Sequence, residues 1–93
     1  MLKHIVIFKL KNPGDAPLIQ ERAETLREIP SLKKMDATVN SPDAPAANCE
    51  FALICDFDGI AGLNEYQVHP LHVAFGKFIT PLRESRACID YEC

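Results

Sequence analysis

The stretch LKHIVIFKLK, residues 2–11, decides the fold. Its even-numbered side chains fall on one face of a β-strand and its odd-numbered side chains on the other, because successive side chains in a strand point to opposite faces. Both faces are apolar in the middle of the stretch, which is typical of a central strand covered on both sides. If Ile5 and Ile7 pack under helices, His4 points to the opposite face, between two sheets.

Further patterns along the chain predict a four-stranded α+β domain. The strands are expected at residues 2–11, 33–41, 49–57 and 85–92. A first helix follows the turn at 12–15 and ends before Pro30, with an apolar stripe made of Leu18, Ile19, Ala23, Leu26 and Ile29. A second helical region covers 59–68 and restarts at Pro70. The resulting order, β-α-β-β-α-β, predicts a ferredoxin-like fold with an antiparallel sheet.

The two-sided strands also predict an assembly. Two helical regions cover only one face of a four-stranded sheet, yet the strands at 2–11 and 49–57 are apolar on both faces. The uncovered face needs a second apolar surface, and the same face of another copy is the simplest one. The chain is therefore expected to form a homodimer.

Composition limits the function classes. The 93 residues suffice for one domain, and the net charge of −3 with no basic run excludes nucleic acid and anionic membranes as partners. No apolar run approaches the ~20 residues of a membrane span. The four cysteines lack metal-type spacing, so we expect reduced thiols in a cytoplasmic protein.

The segment EYQVHPLHVAFGKF, residues 65–78, holds the candidate chemistry. With Pro70 opening a helix, His69 is expected to cap it, and His72 falls in the first turn, where the helix dipole disfavours the imidazolium form. A neutral His72 can accept a proton, and Tyr66 can donate a hydrogen bond to a developing oxyanion. A zinc site using the three histidines is the weaker alternative, because the HExxH context is missing.

Three segments together resemble a known family. KHIVIFKLK at the start, EYQVHPLHVAF in the second half and the closing IDYE are similar to the stress-responsive A/B barrel domain (Dabb) family across the single domain, residues 1–93. The resemblance implies a dimeric α/β barrel with an internal cavity in each protomer. Some members are plant polyketide cyclases, whose two catalytic histidines correspond here to His4 and His72 and whose pocket tyrosine corresponds to Tyr66. By that correspondence, His72 is the general base and His4 its orienting or binding partner.

The resemblance carries two further implications. Arg22 stands where the cyclases have a tyrosine on the first helix, and a guanidinium there favours an anionic ligand. Some members are described with a magnesium ion at the end of the first helix, which corresponds to the main-chain carbonyls of Leu26, Ile29 and Leu32.

No GxGxxG or P-loop motif is present, so no nucleotide cofactor is indicated.

These observations leave two function hypotheses. In the first, a cofactor-free lyase, cyclase or isomerase uses His72 as base in a cavity with apolar walls; in the second, a non-catalytic, stress-associated domain holds an apolar or amphipathic ligand in the same cavity. A cofactor-free monooxygenase of the same architecture is a more distant third. The walls are expected to include Val6, Phe8, Arg22, Phe51 and Phe75.

Overall fold

The four predicted strands form one antiparallel sheet. The computed structural model describes residues 1–93 and orders the strands β2-β3-β1-β4, as in ferredoxin-like folds. The strands are β1 (Leu2–Leu10), β2 (Lys34–Val39), β3 (Phe51–Phe57) and β4 (Arg83–Glu92). The helices are α1 (Ala16–Ala23), α2 (Ile60–Val68) and α3 (Pro70–Ile79). The predicted α+β fold class is therefore confirmed.

The first helix is shorter than predicted and tightens at its end. α1 continues as a 3-10 turn over Glu24–Glu28, and the chain becomes extended at Ile29, ahead of Pro30. Four members of the predicted stripe are buried, but Leu18 is 53% exposed. Leu18 lies one residue before Ile19, and a one-residue step rotates a side chain by about 100° around a helix, away from the buried face.

The helices cover the face of the sheet opposite to the one expected. His4, Val6 and Phe8 are buried beneath the helices, whereas Ile5 and Ile7 lie on the outer face. The conditional placement of His4 between two sheets was therefore wrong. The helices cover the face with the bulkier side chains. On that face, the buried residues of β1 adjoin the aromatic and aliphatic residues of β3, which are Phe51, Leu53 and Phe57.

The outer face of the sheet is an uncovered apolar surface, here called the open face. The strand register aligns Ile54, Ile5 and Ile89 in one cross-strand row. A parallel row contains Ala52, Ile7 and Ala87. Nothing in the single chain packs against these rows, and Ile89 remains 60% exposed. None of the helices is long and apolar enough to cross a bilayer.

Candidate functional site

A cavity of about 290 Å³ lies between the sheet and the second helical region, within one chain. β1 supplies one side of its wall with His4, Val6 and Phe8. The helices supply the other side, chiefly through Tyr66, His72 and Phe75. The volume is near the lower limit of ordinary small-molecule sites, and the mixture of apolar walls with a few polar groups is typical of them.

The break between α2 and α3 explains the local sequence. The backbone at His69 is extended, and its ring Nδ1 accepts a hydrogen bond from the Leu71 N–H at 3.1 Å, so His69 caps α3. Pro70 occupies the first helical position, where the missing N–H costs nothing. His69 does not line the cavity. The three histidines thus do not converge, and the alternative of a three-histidine zinc site is not supported.

His72 is held by the carbonyl group that this break leaves free. Its Nδ1 lies 3.1 Å from the main-chain oxygen of Gln67. A carbonyl oxygen only accepts, so Nδ1 carries the hydrogen and Nε2 is left with a basic lone pair. Burial lowers the pKa of His72, and the nearby His4 and Arg86 also lower it, whereas the hydrogen bond to Gln67 raises it. The uncharged imidazole is thereby favoured.

His4 is oriented by a partner from the last strand. The ring is 2% exposed, and its Nδ1 is hydrogen-bonded to the Asp90 carboxylate, with the Cys88 sulfur 3.5 Å from the same nitrogen. A carboxylate accepts the Nδ1 hydrogen and so fixes both tautomer and ring orientation. From the sequence, Asp90 fits either a structural or a cavity position, and the structural one was preferred. Asp90 is one residue from Ile89, so its side chain points to the opposite face of β4, where His4 lies.

Tyr66 forms part of the cavity wall beside His72. The two ring centroids are 4.6 Å apart, and the tyrosine is 1% exposed. Burial raises the pKa of Tyr66 far above its usual value, and the adjacent Cys55 thiol adds to this. Burial likewise raises the pKa of Cys55, to about 12. An oxyanion donor role for Tyr66 therefore requires its buried hydroxyl to reach the ligand.

Two residues predicted to line the cavity lie elsewhere. The Arg22 guanidinium stacks on the ring of Phe78, 4.6 Å from its centroid, and borders a separate surface depression. Phe51 stacks against Phe8 in the core, with centroids 5.9 Å apart, and does not reach the cavity wall. The remaining three predicted wall residues, which are Val6, Phe8 and Phe75, do line it.

The cavity instead has two arginines that the sequence reasoning missed. Arg83 and Arg86 of β4 line it on the side where the strand forms the edge of the sheet. Arg86 lies opposite Phe8 and so shares the inner face. A register shift between Lys9 and Leu10 pairs Arg83 with Leu10, which brings this odd-numbered residue to the inner face as well. That shift has no signature in the sequence.

The carbonyl groups proposed as magnesium ligands are a poor match for the ion. The carbonyl of Leu26 accepts the Ile29 N–H and that of Ile29 accepts the Leu32 N–H, both at 3.1 Å. Arg27, Lys33 and Lys34 border the same depression as Leu32. Mg²⁺ prefers sites with at least one carboxylate, and three nearby cations oppose it. The residues at this position therefore do not fit a magnesium ion.

Fold and site together define a ferredoxin-like domain with a histidine-containing cavity between sheet and helices. The chain belongs to the stress responsive A/B barrel domain (Dabb) family, whose model matches residues 2–93. No curated protein matches the chain.

Solved structures share the whole fold. A dimeric protein of unknown function and ferredoxin-like fold from Bacteroides fragilis is 31% identical, with a TM-score of 0.83 over 99% of this chain and 95% of that one. A dimeric ferredoxin-like protein of unknown function from Thermobifida fusca is 28% identical, with a TM-score of 0.87 over 99% and 90%. A hydroxynitrile lyase from Passiflora edulis is 21% identical, with a TM-score of 0.77 over 97% and 90%, a likeness of fold alone.

Proposed function

We propose that the protein binds a small apolar or amphipathic molecule in its cavity and acts on it as a cofactor-free lyase or cyclase, with His72 as general base. The observation that carries this proposal is the state of His72. Its Nδ1–H is committed to Gln67, and burial lowers the pKa of the ring, so a neutral imidazole with a free Nε2 borders an apolar cavity. This is the protonation state that a base requires at neutral pH.

In the proposed reaction, Nε2 of His72 removes a proton from a carbon next to a carbonyl group. The electron pair of the C–H bond moves toward the carbonyl oxygen, giving an enolate, while His72 becomes an imidazolium and later returns the proton. His4, fixed by Asp90 through Nδ1, accepts a hydrogen bond at Nε2 from a hydroxyl group of the ligand. Tyr66 donates a hydrogen bond from its hydroxyl to the enolate oxygen.

A non-catalytic ligand-binding domain is the second candidate, and one observation favours it. Tyr66 is 1% exposed, and burial raises its pKa far above the usual value. If its hydroxyl stays buried in the complex, no neutral donor from Tyr66 reaches an oxyanion, and the cavity serves to hold a stress-associated apolar ligand only. The two candidates differ in whether a bound molecule is converted.

We further propose that the chain forms a homodimer through its open face. The rows that contain Ile5 and Ile7 are apolar and extend across the three strands β3, β1 and β4. The similar proteins from Bacteroides fragilis and Thermobifida fusca described above are dimeric. The four free cysteines suit the reducing cytoplasm, which we propose as the location.

Native mass spectrometry of the purified protein tests these proposals together. We expect a dimer whose mass exceeds that of two chains by a small molecule, and the excess should disappear on denaturation. The released compound, identified by fragmentation, is then incubated with fresh protein to look for a product. Product formation supports the enzyme, and binding without any product supports the non-catalytic domain. A monomer, or a dimer that binds no small apolar molecule, contradicts the corresponding proposal.

A further inference from the structure

The cavity wall carries a charge balance opposite to that of the protein. The chain has a net charge of −3. The cavity, however, is lined by Arg83 and Arg86 and by no aspartate or glutamate. A concave site of one sign, with low-dielectric walls, concentrates the field and attracts ligands of the other sign.

Neither arginine is neutralised by the protein. The ion pairs made by lysines and arginines involve Lys3, Lys9, Arg27 and Lys33, and they leave both guanidinium groups without a carboxylate. The carboxylate nearest along the inner face of β4, that of Asp90, is hydrogen-bonded to His4 instead. Arg27, by contrast, is paired with Glu24 at 2.8 Å. An arginine that lines a cavity without a partner offers several unused donors to a ligand.

The two arginines lie on a solvent-accessible part of the cavity wall. Arg86 is exposed and Arg83 is half-buried. The interior wall is apolar and buried, with Val6, Phe8 and Phe75. A ligand that satisfies both regions has an apolar body and an anionic group at one end. The planar guanidinium fork matches a planar carboxylate in geometry.

We propose that the ligand of this cavity is a small apolar carboxylic acid, bound through its carboxylate by Arg83 and Arg86. This assignment rests on the proposed function, since it names the class of molecule that the cavity takes. It also reassigns the anion-binding role that the family resemblance gave to Arg22, whose guanidinium is stacked on Phe78 outside the cavity.

Isothermal titration calorimetry with octanoate, 1-octanol and octyl phosphate tests the assignment. The measurements are made at about pH 8, where an imidazole of lowered pKa is uncharged. Octanoate is expected to bind about tenfold more tightly than 1-octanol, the gain typical of charge-assisted hydrogen bonds. Octyl phosphate reports whether any anion suffices, and tighter binding of the phosphate than of octanoate overturns the carboxylate assignment.

Three variants test which residues bind the carboxylate group of octanoate. Arg83→Gln and Arg86→Gln are each expected to weaken octanoate binding about tenfold and to leave 1-octanol binding within about twofold, which also shows that the cavity is intact. Arg22→Gln is the matched control and should change neither affinity. If an arginine variant fails to fold, the salt dependence of binding to the wild-type protein provides the test. When salt is raised from about 20 mM to about 500 mM, the affinity for octanoate should decrease and the affinity for 1-octanol should not.

The outcomes separate the two proposals. Equal affinities for octanoate and 1-octanol, insensitive to salt and to both substitutions, overturn the carboxylate assignment while the apolar cavity of the proposed function stands. Absence of binding by every probe overturns both.

Discussion

His4 and Asp90 occupy directly opposed positions on β1 and β4, and the imidazole Nδ1 is hydrogen-bonded to the carboxylate. The pair joins a buried histidine of the central strand to a partly exposed residue of the edge strand, with side-chain exposures of 3% and 36%. The edge strand thereby determines which nitrogen of His4 is available to a ligand. Several outcomes can be expected from this and related contacts.

Replacing Asp90 by asparagine is expected to lower turnover by about tenfold or more while the fold is retained. The amide can donate as well as accept, so Nδ1 of His4 is no longer obliged to carry the hydrogen. Nitrogen NMR of the His4 ring should show a mixture of tautomers in Asp90→Asn and one tautomer in the wild type. A variant with wild-type turnover and an unchanged tautomer would remove Asp90 from the site.

Substitution of the proposed base separates it from its neighbour in the same motif. His72→Gln is expected to reduce turnover by about 10²–10⁴-fold, the usual contribution of one positioned base. His69→Asn is the control, because asparagine is a good N-cap residue and preserves the start of α3. Turnover of the compound identified by mass spectrometry is measured for both. Full activity in His72→Gln would sink the proposed mechanism.

Turnover should depend on pH with a midpoint below the usual imidazole value of about 6.5. Burial, His4 and Arg86 lower the pKa of His72 more than the bond to Gln67 raises it. The base is uncharged above that lowered pKa, so activity should persist at neutral pH and fall on the acid side. A pH–rate profile with a midpoint above about 6.5 would contradict this.

The contribution of His72 to folding stability should also decrease on the acid side. The unfolded chain protonates His72 at its ordinary pKa of about 6.5, before the folded protein does, so the contribution of this residue is complete above that pH. It is lost as the pH falls toward the lowered pKa of the folded state. Urea unfolding of wild type and His72→Gln from neutral to acid pH measures the difference, which should shrink in acid.

Charge on the open face should dissociate the dimer. Ile89→Lys places an ammonium group within the proposed apolar interface, next to Ile5, where burial of an unpaired charge is costly. Sedimentation velocity is expected to show monomers at concentrations where the wild type is dimeric. Val68→Lys provides the control, because Val68 is 76% exposed on α2 and lies away from that face. Dimers of unchanged stability in Ile89→Lys would rule out the open face as the interface.

Gly76 offers a test of the helix that borders the cavity. An added Cβ at this position would meet no atom within 4 Å, although Gly76 lies inside α3 and lines the cavity. Gly76→Ala is therefore expected to increase stability by about 0.5–1 kcal/mol, the difference in helix propensity. Thermal unfolding measures the change. A destabilised variant would mean that the space beside Gly76 is smaller than the structure shows.

The strand periodicity and the proline-centred helix break allowed most of the fold to be predicted. A period of two in β1 and β3 defines two faces, and Pro70 with a capping His69 defines a helix start, because both are local properties of the backbone. Which face of the sheet the helices cover is not determined by the local sequence. β1 is apolar on both sides, and only the packing of β3 against the helices decides between them.

The site was predicted only in part, again because some of its residues are positioned by contacts between distant parts of the chain. His4, Tyr66 and His72 do meet at one cavity, since each belongs to an element whose position the fold determines. The contribution of Arg83 depends on a one-residue register shift, which arises from pairing with a strand more than seventy residues away. Arg22 was placed by counting along a helix, whereas its direction depends on the ring of Phe78.

The alternation of side chains along β4 has a consequence for mutational scanning. Arg86, Cys88 and Asp90 point to the inner face, and Ala87 and Ile89 point to the open face. A saturation scan of this edge strand should therefore alternate in phenotype from Ser85 onward. In that part of β4, even-numbered positions should change ligand handling in intact dimers, and odd-numbered positions should change the association constant while the chemistry of each folded subunit persists. Arg83 lies beyond the register shift and should behave like the even-numbered positions.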